Sequence, residues 1–212
     1  MNTAIKVSRV YKKFGEETVL YDVSRDFEEG KVHGIVGNNG SGKTVLMKCI
    51  CGFMFPTEGE IFVRNQKVGA DVDFPDDMGI IIETPGFLPE LTAFKNLQIL
   101  SSLNHKVSKD AIEYVIKKVG LDPKNKKPVS KYSLGMRQRL GIAQAIMEDP
   151  SILILDEPFN GLDKKGVAEM RELIESFKGE KTIILASHNQ ADIDILCDTV
   201  CEMDHGRMTM IR

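Results

Sequence analysis

Residues 37–44 read Gly-Asn-Asn-Gly-Ser-Gly-Lys-Thr, and this octapeptide constrains the fold more than any other stretch. Val32-His33-Gly34-Ile35-Val36 precedes it and reads as a short buried strand. Val45 to Ile50 follows and continues as a helix until Gly52 and Pro56 stop it. Strand, glycine-rich loop and helix, in that order, form the setting in which G-x-x-x-x-G-K-[ST] holds phosphate. Gly37, Gly40 and Gly42 let the backbone wrap closely, so Gly37, Asn38, Asn39, Gly40, Ser41 and Gly42 together form a concave cradle of inward N–H groups. The helix N-terminus adds its positive dipole end. Lys43 supplies a point charge for the outer phosphates, and the Thr44 hydroxyl suits magnesium. The competing account is a glycine-rich turn that merely precedes a lysine. The flanking strand and helix argue against it, and the stretch predicts a nucleoside triphosphate site.

A second stretch supplies the acid groups such a site needs. Ile152-Leu153-Ile154-Leu155-Asp156-Glu157 is an apolar strand ending in two carboxylates. Delivered beside a phosphate loop, Asp156 fits a magnesium-holding role, directly or through water. Glu157 fits a general base that polarises the attacking water. By itself the stretch is equally well a strand that happens to end in acids before Pro158. Paired with residues 37–44, it points to hydrolysis.

The rest of the chain gives these stretches a scaffold. Ala4–Val7 and Thr18–Ser24 alternate like antiparallel strands around a break at Phe14-Gly15, and Ile61–Val63 follows the turn Pro56–Gly59. Ile80–Ile82, Ile152–Leu155 and Thr182–Leu185 read as buried parallel strands, giving a sheet of at least four with the strand before Gly37. Between Pro85 and Pro150 the period becomes helical. Ile112, Val115, Ile116 and Val119 form one stripe, with Ser108 as N-cap and Gly120 as stop. Phe94, Leu97, Leu100 and Leu103 form another, and a third helix starts at Ser133 and runs through Leu140, Ala143 and Met147. The expected division is one domain over 1–212, with 1–83 and 151–212 as nucleotide-binding core plus β subdomain and 84–150 as a helical subdomain.

Composition excludes several classes. A net charge of −3 gives no support for a nucleic-acid surface, and no nucleic-acid partner is expected. No apolar run approaches the roughly 18 residues that span a bilayer, and the first residues lack the apolar core of a signal peptide. A cytoplasmic chain is expected, with any membrane role supplied by a separate partner. The four cysteines, at 49, 51, 197 and 201, lie in apolar surroundings and are expected as buried, reduced thiols. His33, His105 and His205 carry no context that assigns them a role.

Taken in order, Lys43-Thr44, Ser133-Leu134-Gly135-Met136-Arg137-Gln138-Arg139, Asp156-Glu157, Asn160-Gly161-Leu162-Asp163 and Ser187-His188 resemble the ATP-binding cassette (ABC) ATPase domains over nearly the whole chain. The stretches Glu83–Phe87 and Tyr132–Met136 are most similar to the branch serving exporters of bacitracin and lantibiotic type. The resemblance implies an α/β P-loop NTPase core with a mixed sheet, an N-terminal antiparallel β subdomain and an inserted α-helical subdomain. It implies an ATPase using ATP and Mg2+ that powers a membrane transporter, an exporter of antibiotic peptides or other drugs.

Residue by residue, Ser133 and Gly135 match the family signature that meets ATP held by a second ATPase subunit, in a head-to-tail ATP sandwich. A simple N-cap at Ser133 is compatible with that task. His188 matches the switch histidine that hydrogen-bonds the γ-phosphate and holds the attacking water. Residues 160–163 match the loop along the subunit interface. Phe14 stands where the family places a ring against adenine; a core role competes, and Tyr11 is the alternative. Glu83 stands where most members carry glutamine, which keeps a metal role and adds negative charge near phosphates. Leu134 and Met136 replace commoner signature residues. In the family, a groove beside residues 86–91 receives a helix from an integral-membrane permease; packing of Phe87 and Leu91 inside the helical segment competes. The alternative to a transporter subunit is a soluble ABC-type ATPase acting on ribosomes or DNA. Those relatives usually carry paired cassettes, coiled coils or a basic linker, and none is visible in this sequence.

Overall fold

The structure is a computed structural model that describes residues 2–104 and 107–212, so His105 lies outside it. Strands β1 (Thr3–Phe14) and β2 (Glu17–Glu28) form an antiparallel hairpin that turns at Gly15, where φ is +59°. Ile5 and Val7 alternate into the core as a strand demands, but the next buried residue is Val10, three positions on. A register shift between Val7 and Val10, with Arg9 at φ +47°, turns Val10 back inward. The partner strand does the same between Leu20 and Val23, with Asp22 at φ +51°. Strand β4 (Glu58–Val63) pairs with β1, and the short β5 (Gln66–Lys67) pairs with β4, completing a sheet ordered β2-β1-β4-β5.

The main sheet is mixed. Its order is β10-β9-β3-β8-β7-β6, built from β3 (Val32–Val36), β6 (Met78–Ile81), β7 (Ile152–Asp156), β8 (Thr182–Ala186), β9 (Thr199–Asp204) and β10 (Arg207–Met210). Strand β3 runs parallel to β8 and β9, β7 runs parallel to β6 and β8, and β10 runs antiparallel to β9. The sequence reading missed β9 and β10. The strands it did find, β6, β7 and β8, lie parallel beside β3.

Side-chain alternation along these strands feeds two cores. Ile35, Ile152, Ile154 and Ile184 face helix α1 (Lys43–Ile50), whose Leu46, Met47 and Ile50 are fully buried, and the antiparallel sheet beyond it. Val32, Leu153, Leu155, Ile183 and Leu185 face the opposite layer of helices. That layer holds α2 (Ala93–Asn104), α3 (Lys109–Lys118), α4 (Leu134–Ile146), α5 (Lys164–Glu175) and α6 (Gln190–Leu196). Gly34 fits where α6 crosses β3, because a Cβ there would lie 2.8 Å from the Cys197 sulfur.

Three α-helices and a short 3-10 turn (Val129–Lys131) follow β6 among the described residues before the chain re-enters the sheet at β7. Ser108 caps α3 by accepting from the Ala111 N–H at 3.2 Å, and Ile112, Val115, Ile116 and Val119 are all buried. Ser133 caps α4 by accepting from the Met136 N–H at 3.2 Å. On α2 the apolar stripe is shorter than its spacing predicts. Leu97 is fully buried and Phe94 and Leu100 pack against the core, but Leu103 is 73% exposed, a correction to the stripe. All four cysteines are buried and unpaired; burial pushes Cys49 up to about 11 and Cys51 and Cys197 up to about 12.

Candidate functional site

The parallel strands deliver their C-terminal ends to one edge, where open α/β sheets place ligands. The loop after β3 reaches α1 through three glycines in the left-handed region, Gly37 at φ +147°, Gly40 at +80° and Gly42 at +108°. A side chain at Gly37 would strike the Ser41 Oγ and the Met203 carbonyl, so close approach as well as φ demands glycine there. The loop is tied down from outside by the Gly206 N–H, which donates to the Ser41 carbonyl at 3.0 Å. Lys43 is 7% exposed, and its Nζ donates to the carbonyls of Gly37 at 2.6 Å and Asn38 at 3.0 Å. Ser41 Oγ is buried without a hydrogen-bond partner among the described residues.

Strand β7 brings Asp156 beside this loop. The Thr44 hydroxyl donates to Asp156 Oδ2 at 2.7 Å across 112 residues of sequence. Glu157, next along, has a left-handed backbone at φ +50°. Its N–H donates to the Ala186 carbonyl at 2.9 Å, and its own carbonyl accepts from Asn160 N–H at 3.2 Å and Gln138 Nε2 at 3.3 Å. These bonds aim its carboxylate at the loop after β8, where His188 Nδ1 lies 2.7 Å from Glu157 Oε2. An ionised carboxylate only accepts, so His188 Nδ1 carries the proton.

Lys43, Thr44, Glu83, Asp156 and Glu157 line one open cleft of about 510 Å³, together with Val19, Leu134, Gln138 and Asn160. Glu83 enters it from the segment after β6, with its backbone at φ +60°; its carboxylate pairs with Lys48 Nζ at 2.5 Å. Ser133 and Gly135 are not brought to this cleft. They line a separate depression with Met136, Arg139, Gly161 and Leu162. Phe14 is also off the cleft wall, 45% exposed, with the Lys12 ammonium 5.1 Å from its ring centre.

The sequence reading missed the support behind His188. Ser187 Oγ donates to Asp192 Oδ2 at 3.0 Å and accepts from the Asn189 N–H at 3.1 Å. Asp192, 1% exposed, accepts from Arg171 Nε at 2.8 Å and from a second guanidinium nitrogen. Lys48 was missed too, although its place four residues after Thr44 puts both on one helix face.

A family model described as ABC transporter matches residues 20–160. The uncharacterised ABC transporter ATP-binding protein YybJ of Bacillus subtilis (strain 168) is 46% identical over 205 residues, 96% of this chain and 94% of that protein. The bacitracin transport ATP-binding protein BcrA of Enterococcus faecalis is 41% identical, over 98% of this chain and 68% of its own length. The lantibiotic transport ATP-binding protein SrtF of Streptococcus pyogenes is 37% identical, over 97% of this chain and 89% of its own. A solved ATP-binding subunit of an ABC transporter aligns with a TM-score of 0.87 at 26% identity, covering 99% of this chain and 90% of that one. A dimeric bacterial ABC transporter cassette shares the fold at a TM-score of 0.86 and 24% identity, covering 98% and 99%. The chain belongs to the ABC transporter family.

Proposed function

We propose that this chain binds and hydrolyses ATP with Mg2+, and that the hydrolysis drives an exporter of antibiotic peptides or other drugs through an integral-membrane permease. The observation that carries the reading is the meeting of two contacts at the phosphate loop, Thr44 with Asp156 and Glu157 with His188, each at 2.7 Å. The bacitracin and lantibiotic transport relatives support the cargo class.

The phosphate end of ATP enters above α1, where Lys43 exchanges the Gly37 and Asn38 carbonyls for phosphate oxygens. Backbone N–H groups from Gly37 to Gly42 take the rest of the charge. Magnesium fits the residues present: Thr44 and Asp156 form a hard-oxygen pair already in contact, and Glu83 offers a further carboxylate if it leaves Lys48. The ion supplies charge neutralisation at the outer phosphates. Glu157 Oε2 is held by His188, which leaves Oε1 to take a proton from the attacking water. Phe14 is assigned to the adenine ring, at the modest ~1 kcal/mol that stacking contributes.

Ser133 and Gly135 complete the site of a second ATPase subunit, and their separation from the cleft of their own chain supports that assignment. Residues 84–150 act as the helical subdomain that relays dimer closure, with 1–83 and 151–212 as the core. A groove of about 690 Å³ between the end of β6, residues 84–86 and α4 suits a short helix of the permease. Among the described residues no helix is long and apolar enough to cross a membrane. The chain sits on the cytoplasmic face through that permease, a reading supported by relatives that are transporter ATP-binding proteins.

Glu157→Gln tests the chemistry. It keeps the side-chain shape and removes the base, so ATP binding persists while steady turnover falls by at least about 10²-fold. Turnover at the native rate in the variant would refute the assignment.

A further inference from the structure

We propose that Lys48 is a positioning residue of the nucleotide cleft: its ammonium holds the Glu83 carboxylate off the phosphate-binding end. The nucleotide then meets two carboxylates there, those of Asp156 and Glu157, rather than three. The proposal rests on the ATP reading above and deepens it.

The geometry is specific. Lys48 lies one helical turn beyond Thr44 on α1, on the same face. Its Nζ is 2.5 Å from Glu83 Oε1, and the two residues are 35 positions apart in sequence. The lysine side chain is 22% exposed and the glutamate side chain 63%, so the lysine is the anchored member and the glutamate the one drawn to it. Glu83 nevertheless lines the cleft beside Lys43, Thr44, Asp156 and Glu157. The lysine that lines the cleft, Lys43, is committed to the phosphate loop. An unpaired Glu83 would therefore add a negative charge, without a compensating cation, next to a polyanionic ligand. An ion pair this exposed contributes little to stability. Its effect is on where the charge of Glu83 sits.

The test is calorimetric titration of ATP into the native chain, Lys48→Met, Glu83→Gln and the double variant, at low ionic strength in chelator. Binding in chelator reads the charge effect without metal or turnover. Lys48→Met is expected to weaken binding by about fivefold to tenfold, the size of one unit charge several ångströms from a phosphate in a partly solvated site. In the Glu83→Gln background the same change is expected to alter affinity by less than about twofold, because the charge it releases is gone. Lys48→Arg recovers most of the loss, and the loss shrinks as salt is raised. Thermal unfolding checks that each variant folds, and Lys48→Gln replaces Lys48→Met should the latter not fold.

An equal loss in both backgrounds would overturn the proposal, since Lys48 would then act on the phosphates directly or through α1. No loss at all would overturn it as well. Failure of the native chain to bind ATP is a different result: it would remove the nucleotide reading and the proposal with it.

Discussion

Glu157 has a left-handed backbone that costs a non-glycine residue about 1 kcal/mol or more. The conformation persists because both its N–H and its carbonyl are bonded, to Ala186 on one side and to Asn160 and Gln138 on the other. The strain is spent at the position where direction matters, since it sets the carboxylate against His188. The cysteines are the opposite case, buried thiols that form no disulfide among the described residues. With Cys51 and Cys197 pushed up to about 12, the thiolate fraction at pH 8 is about one in 10⁴. Cys49, at about 11, and Cys201, also raised, are shielded in the same way. A thiol reagent at pH 8 is therefore expected to titrate four thiols in denaturant and essentially none in the folded chain over the same minutes. A fast-reacting thiol in the native protein would contradict the burial described.

Helices α5 and α6 carry the scaffold of the His188 loop. Arg171 on α5 grips Asp192 on α6, and Asp192 in turn holds Ser187, the residue before the histidine. Asp192→Asn keeps the size and leaves Arg171 facing a neutral amide in a buried site. A loss of stability approaching the ~3–5 kcal/mol of a broken buried ion pair is expected. Below the unfolding transition, kcat is expected to fall several-fold while the KM for ATP changes little, because the phosphate loop is untouched. Equal changes in both constants would mean that the network supports the fold in general and not the histidine loop. None of this was legible in the sequence: Arg171 and Asp192 are 21 residues apart on different helices, and Lys48 and Glu83 are 35 apart. What was legible had local causes. The octapeptide at 37–44 carries its own turn chemistry, Ile152–Glu157 is apolar enough to be a strand, and Ser108 and Ser133 cap the helices they precede. Strands β9 and β10 were missed because Thr199–Asp204 and Arg207–Met210 have exposed residues among short apolar runs, and pairing decides them. Leu103 fits the helical period of α2 and is still exposed, since periodicity does not say where the neighbouring layer ends.

At the scale of the molecule, the arrangement that matters is where the residues around Ser133 lie relative to the phosphate loop. The cleft at Lys43 and the depression at Ser133 and Gly135 are lined by different residues, although Leu134 between them lines the cleft. If two copies pair head to tail, each active site takes its phosphate loop from one chain and its signature from the other. Complementation separates this from a self-contained site. Lys43→Ala disables the loop by removing the buried cation and its two hydrogen bonds. Gly135→Asp disables the signature by placing a carboxylate where the partner's phosphate would lie, and it also crowds the Gly161 carbonyl. Each variant by itself is expected to be inactive. In a mixture, a mixed dimer holds one site with both defects and one with neither. Random pairing at equal amounts makes half the dimers mixed, so about a quarter of native turnover returns for independent sites in a symmetric dimer. The recovered rate should rise with total protein concentration, and unfolding curves check that Gly135→Asp remains folded. A mixture as inactive as its parts, with both variants folded and able to dimerise, would mean that the signature does not act across the pair.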